Sequence, residues 1–429
     1  MLLKFLIVFL SISLFYCIPT PFKSCKSHDF AFWFYWYLIW DMNQPPKNLT
    51  QEDISYESDK EIKYSNKLYL HGNTIAFSEY NYELKAMSKR HDTELNGIRF
   101  LDISNLENIK NNGFIKIPGS KEIAMKETTL FTDSYDDLAS IDVSNIKSPK
   151  LNDLYLSVFY LSNNTYIPIN TIGRKTCKTI YIDPFDFEGR IHEDSADTAT
   201  AVVLPFTSKG SSISRFTIVD NRLFAVTYKD LIVFDISDVN NIKENNRLNI
   251  THDLNIETIY PVTNYLMLGA VNGMYIYNIS DKDFPVYMSH IDHIVSCDPV
   301  VAEGNTAYVT LSSFGRNCRT GEDRLEIVDI SDIENPKVIA QYDLDTPGSL
   351  AIDNGVLFVI IDTDGERKLE VLNVSDIENI QSYKTITEDT FIDIILDNGK
   401  AYALAQKGLY IYDYSDPSNI HQIGKYKFE

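Results

Sequence analysis

Basic residues are scarce in this chain: 39 Lys and Arg stand against 60 Asp and Glu, a formal charge of −21. A field of that sign repels phosphate backbones and anionic lipids, so no nucleic acid partner is expected, and a membrane is reachable only through an anchor. Long apolar runs are missing too. The two near the N-terminus, 5–16 and 30–40, fall short of the roughly 20 residues that a spanning helix needs. Cysteine is sparse, five in 429 residues, with none of the paired spacing that zinc sites use. There is no glycine-rich phosphate loop and no Ser/His/Asp ordering, which removes the common motif-borne chemistries.

What the chain does have is repetition. Asp102-Ile-Ser-Asn returns, lightly edited, at Asp142, Asp235, Asn278, Asp329, Asn373 and Asp413, with spacings of 40, 93, 43, 51, 44 and 40 residues. That period is typical of β-propeller blades. Before each Asp or Asn lies a short run of β-branched and aromatic residues, such as Leu231-Ile-Val-Phe, Met274-Tyr-Ile-Tyr and Leu409-Tyr-Ile-Tyr. Such a run suits a strand buried on both faces, strand c. Upstream stands strand b, entered through Asp353-Asn354-Gly355 and Asp397-Asn398-Gly399 in two copies. Asn-Gly supplies the positive φ angles of a tight hairpin, so strand a precedes it and runs antiparallel. Strand d follows the motif, as in Lys337-Val-Ile-Ala-Gln-Tyr. The fold class is therefore all-β, a seven-bladed β-propeller of four-stranded antiparallel blades. The motif residues Asp102, Asp142, Asp235, Asn278, Asp329, Asn373 and Asp413 are read as structural turns, because a catalytic group is needed once and not seven times.

The 93-residue gap has room for an eighth, degraded blade. No further motif copy lies between Lys150 and Phe216, so an insertion at about 162–212 is preferred, with strand a of the third blade beginning near Ile213. Residues 1–25 carry a signal-peptide-like apolar core and 26–61 read as an apolar segment and linker, which leaves 62–429 for the propeller. Export to the cell envelope is expected. Cys17 and Cys25 are the candidate lipid-anchor residues, although each meets only one of the two conditions of a lipoprotein signal, a small residue just before the cysteine and an aliphatic one three before it. Export permits disulfides. Cys297, at the start of strand a in blade 5, and Cys318, in the loop after strand b, fall at the same end of one hairpin and form the favoured pair, worth about 3 kcal/mol through the unfolded chain. Cys177 has no evident partner.

The repeat Leu-x-Ile-Val-Asp-Ile-Ser-Asp-x-x-Asn-Pro at Leu325–Pro336 resembles the LVIVD repeat. Leu130-Phe-Thr-Asp-Ser-Tyr-Asp-Asp-Leu, Cys297-Asp-Pro-Val-Val, Ala307-Tyr-Val-Thr-Leu and Tyr412-Asp-Tyr-Ser-Asp resemble the LVIVD-repeat propeller lipoproteins of Bacteroidota, from about Lys63 onward. The resemblance implies a propeller, export as an outer-membrane or cell-surface lipoprotein, and a Cys297 to Cys318 bond. It implies no particular activity, and the chain departs from the family at its N-terminus, where the anchor would be.

In a propeller the a-b and c-d turns share one face, and the b-c and d-a loops share the other. The blade 1 b-c loop at about 80–97, the insertion, and the blade 5 b-c loop at about 312–324 all fall on the second face, where binding is expected around the channel mouth. Glu122, Asp298 and Asp393 stand on or near inner strands there, with His192 and Glu193 in the insertion. No cofactor is expected; calcium is the metal that channel carboxylates would take. Asp362-Thr-Asp-Gly-Glu366 is superficially like a calcium loop but is better read as a b-c turn. Three functions follow. The first is a monomeric, non-enzymatic, surface-anchored propeller that binds a protein or a glycan, favoured by exposed aromatics on the long-loop face. The second is a hydrolase or lyase with a metal in the channel, favoured by three or more converging carboxylates or histidines. The third is a structural subunit of an envelope assembly, favoured by an exposed apolar patch on the blade sides.

Overall fold

Each copy of the repeat builds one four-stranded antiparallel sheet in the computed structural model, which describes residues 48–58, 60–80, 96–159, 208–250, 256–292, 299–313 and 323–428. After β1 (Ser55–Glu57), blade 1 comprises β2 (Leu68–His71), β3 (Thr74–Glu79), β4 (Gly97–Asp102) and β5 (Lys110–Lys116). Blade 2 comprises β6 (Ala124–Lys126), β7 (Thr129–Ser134), β8 (Asp137–Asp142) and β9 (Lys150–Tyr155), and a short β10 (Ser208–Gly210) follows it. Blade 3 is β11 (Phe216–Val219), β12 (Arg222–Val226), β13 (Asp230–Asp235) and β14 (Lys243–Asn249); blade 4 is β15 (Ile256–Val262), β16 (Tyr265–Ala270), β17 (Gly273–Asn278) and β18 (Val286–Asp292). Blade 5 is β19 (Val300–Glu303), β20 (Thr306–Leu311), β21 (Arg324–Asp329) and β22 (Lys337–Asp343). Blade 6 is β23 (Pro347–Asp353), β24 (Val356–Thr363), β25 (Glu366–Asn373) and β26 (Gln381–Ile386), and blade 7 is β27 (Phe391–Asp397), β28 (Lys400–Ala405), β29 (Gly408–Asp413) and β30 (His421–Lys427). The described residues form a seven-bladed β-propeller.

Strands b and c are buried almost throughout, as β12 and β13 illustrate, which explains their continuous apolar runs. Strand d lies at the rim, and β14 alternates between exposed and half-buried residues. The seven motifs close their turns identically. The amide of the Ser two residues on donates to the side chain of Asp102, Asp142, Asp235, Asn278, Asp329, Asn373 or Asp413, at 2.7 to 3.1 Å. A second turn of the same kind follows three residues later, where Asn105, Asn145, Asp238, Asp281, Asp332, Asp376 and Asp416 each accept an amide two residues ahead. The paired turns are local, which is why the motif tolerates exchange of Asp for Asn.

One regular feature is not visible in the motif. All seven c-d pairings shift register at the same place, just before the motif Asp or Asn, so every rim strand carries a β-bulge. A bulge increases the local twist and lets the outer strand follow the blade.

Three boundaries differ from those the sequence suggests. The propeller begins before residue 62: β1 pairs with the rim strand β5, Leu49 and Ile54 are buried, and the Gln51 side chain bridges Pro149 O and Leu151 N at 3.0 and 2.7 Å. Polar composition suggested a linker because an added edge strand needs only backbone pairing and a few anchors. The insertion ends before residue 212, since β10 pairs with β2 on the channel side of blade 1. Blade 3 strand a starts at Phe216 and not near Ile213.

Blades 1 and 7 close the ring without exchanging a strand, each being drawn from one end of the described chain. Side chains make the closure. Leu68, Leu70, Phe77 and Leu101 pack with Ile395, Leu404, Leu409 and Ile411, and Phe428 stacks on Phe77 at 5.4 Å.

Candidate functional site in the channel and on its long-loop face

The inner strands run from the long-loop face to the a-b turns, so residues at equal distance from those turns form a layer. Four residues before the ends of strands a stand Lys67, Glu122, Arg215, Thr258, Pro299, Ser349 and Asp393. The layer lies near the mouth, and it contains both described acids that the sequence singled out. Asp298, Cys297, Cys318, His192, Glu193, Cys177, Cys17 and Cys25 lie outside the described residues.

Glu122 is committed on both oxygens. Oε1 accepts the Lys67 ammonium, and Oε2 accepts the Arg215 amide at 3.1 Å. Its own amide and that of Lys121 donate to Asp133 Oδ1 at 2.8 and 2.6 Å. Burial, reinforced by the neighbouring Glu122 charge, pushes Asp133 up to about 6. Arg215 reaches the Glu257 carbonyl at 3.3 Å and lies over the Tyr228 ring at 5.8 Å. Burial raises Glu257, and the nearby Arg215 and Lys67 pull it back.

Asp393 has no exposed surface. Oδ1 accepts Ser349 Oγ at 2.6 Å and the Ile394 amide at 2.9 Å, and Oδ2 accepts the Leu68 amide at 2.8 Å. The Ser211 hydroxyl stands close enough to favour the carboxylate but outside hydrogen-bonding geometry. Burial dominates and lifts Asp393 to about 6.

One wall around Asp393 comes from a segment that the sequence suggested was part of a loop insertion on the long-loop face. Ser208 pairs with His71 beside the a-b turn and Gly210 with Tyr69, so β10 climbs the channel toward the long-loop face. At its lower end Lys209 Nζ donates to Leu396 O at 3.1 Å and pairs with Asp397 at 3.2 Å. At its upper end the buried Ser212 shares a 3.2 Å hydrogen bond with Ser349 Oγ, and its Oγ accepts the Leu350 amide at 3.0 Å. Residues 208–214 therefore span from blade 1 across to blades 6 and 7 and occupy the channel at the level of the acids. Residue 159 leaves blade 2 on the long-loop face, where its amide donates to Asp136 O, whereas residue 208 re-enters at the opposite end. Lys67, Arg215, Ser349 and Ser212 carried no sequence signal of their own. The signal that could have found the first three is their common distance from the a-b turn.

Chemically the layer is a set of satisfied charges. Glu122 and Asp393 are held apart by different partners, and no group of three or more His, Cys, Asp or Glu that could hold a metal occurs among the described residues. Among the described residues, a cleft of about 560 Å³ opens on the same face between blades 6 and 7, lined by Thr346, Asp364, Arg367, Thr390, Ile392 and Gln406. The Asp362–Glu366 stretch beside it is a tight b-c turn: Asp364 and Gly365 have φ of 58° and 87°, and the Gly365 amide donates to Asp362 Oδ1 at 2.8 Å.

No family model matches the chain, and no curated protein matches it by sequence. Its fold is similar to that of a protein from Lactobacillus plantarum, with a TM-score of 0.51 and 12% identity over 84% of this chain and 96% of that one. It is also similar to a periplasmic gluconolactonase from Pseudomonas aeruginosa, with a TM-score of 0.52 and 10% identity over 84% of this chain and 96% of that one. At these identities the likeness shows the propeller fold.

Proposed function

We propose that this chain is an exported, monomeric recognition scaffold of the LVIVD-repeat kind, anchored through Cys17 or Cys25, that binds a protein or a glycan on its long-loop face without catalysing a reaction. The observation that carries this reading is the commitment of the channel acids. Glu122 and Asp393 spend their lone pairs on internal donors, and residues 208–214 occupy the space in which a substrate would have to meet them. Among the described residues that face offers a cleft between blades 6 and 7, whose Arg367, Asp364, Thr390 and Gln406 present both donors and acceptors to a polar ligand. The second reading is a hydrolase or lyase with a metal in the channel; a gluconolactonase is among the proteins of similar fold, which makes lactone hydrolysis a reaction to assay.

Elemental analysis of the native protein with and without chelator, run beside an aldonolactone hydrolysis assay, separates the two. The recognition reading expects substoichiometric metal and no turnover above background. A stoichiometric metal lost to chelator, together with turnover that disappears in Asp393→Asn, would sink it.

A further inference from the structure

The rim of a propeller is a row of sheet edges, and an exposed edge is a template for an added strand unless something protects it. In this chain the rim strands are β5, β9, β14, β18, β22, β26 and β30. β5 is covered by β1 of the same chain. Of the other six, β9, β14, β22, β26 and β30 each carry at least one Lys or Arg, the usual guard of an open edge, and β18, Val-Tyr-Met-Ser-His-Ile-Asp, carries none. The bulge common to all seven rims cannot be what distinguishes it.

β18 is also where apolar surface is shown to solvent. Phe284 is 61% exposed, Val286 58% and Tyr287 47%, the highest values among the large hydrophobic residues described. Tyr287 is held in place by its neighbours. Tyr287 Oη and His290 Nδ1 are 2.6 Å apart, His290 stacks on Tyr275 at 5.3 Å, and Tyr277 meets Tyr287 edge-on at 5.7 Å. Rigid, partly exposed aromatics are the residue type on which protein interfaces concentrate their energy. The ends of the edge are acidic. Asp281 stands before the strand and Asp292, 75% exposed and 3.4 Å from His290 Nε2, at its end, whereas Asp283 is paired with Arg222 and the nearby Lys282 with Asp220 at 3.0 Å.

We propose that β18 is a docking edge that takes an extended segment of another protein, alternating apolar with basic residues, as a fifth strand of blade 4. The fold already accepts added strands on blade 1, where β1 lies on the outer edge and β10 on the inner. Main-chain bonds would give the affinity, and alternate side chains would meet the Phe284, Val286 and Tyr287 surface. The acidic ends select a cationic partner. A second copy of this chain fits less well: antiparallel pairing of two β18 strands would lay each Asp292 along the other's Val286, and it would join two molecules of charge −21.

The test uses the intact protein and a fluorescent peptide that alternates valine with lysine, read by anisotropy. Saturable, salt-weakened binding is expected, reduced about tenfold or more by Val286→Lys or Tyr287→Lys and by N-methylation of the peptide's main chain. Both positions are exposed, so unchanged thermal melts are expected to accompany the loss, and either variant suffices if the other misfolds. Four results would overturn the proposal: no saturable binding, equal binding of a valine–glutamate peptide, equal loss in the blade 5 control Ile339→Lys, or a concentration-dependent dimer that Val286→Lys abolishes.

Discussion

Keeping a carboxylate ionised with no exposed surface costs free energy that hydrogen bonds only partly return, and Asp393 shows the balance. Its three firm donors and the Ser211 hydroxyl favour the charged form, yet burial wins and the group sits at about 6 in the folded protein. Because the folded value lies above the unfolded one, the native state takes up a proton first as pH falls. Between about pH 7 and 4 this stabilises the native state, and below the unfolded value no further change follows. Relative to Asp393→Asn, the wild type should gain about 3 kcal/mol over that window. Urea melts of the two proteins at several pH values measure it, and a difference that stays flat with pH would show that the acid is not titrating there. The sequence made Asp393 visible as an acid on an inner strand. It could not show Ser349, Ser211 and Leu68 around it, because they come from blade 6, the channel segment and blade 1.

The unit that repeats is a four-stranded blade closed by two consecutive side-chain-to-amide turns. What each first turn needs is an acceptor oxygen two residues before the Ser amide, and Asn278 and Asn373 supply it without charge, at 2.7 and 3.1 Å. Asp142→Asn is therefore expected to be close to neutral, whereas Asp142→Ala leaves the Ser144 amide to solvent and should cost about 1 kcal/mol, as loss of a cap does. Chemical denaturation of the pair tests this, and equal losses would mean that charge and not the acceptor holds the turn. Strands b and c were legible because burial on both faces leaves an uninterrupted apolar run. The rim bulges, β1 and β10 were not. A bulge is decided by how two strands twist together, and an edge strand of three residues can be written in almost any polar sequence.

A ring must close, and here it does so through packing between the first and last blades. Phe428, partly buried near the end of the chain, stacks on Phe77, which has no exposed surface. Phe428→Ala is expected to cost about 2 kcal/mol and to open blade 7 to protease before the rest of the ring, with limited proteolysis followed by mass spectrometry as the measurement. Cleavage starting in blades 3 or 4 would place the weak point elsewhere. The sequence by itself determined the architecture: the period of the motif, the apolar runs before it and the local chemistry of the turn each act over a few residues and recur seven times. Only the tertiary structure decided what fills the channel and which edge is left open. The first depends on contacts between residues more than a hundred positions apart, such as Ser212 with Ser349 and β10 with β2, and the second on which rim strand β1 covers; no local pattern encodes either.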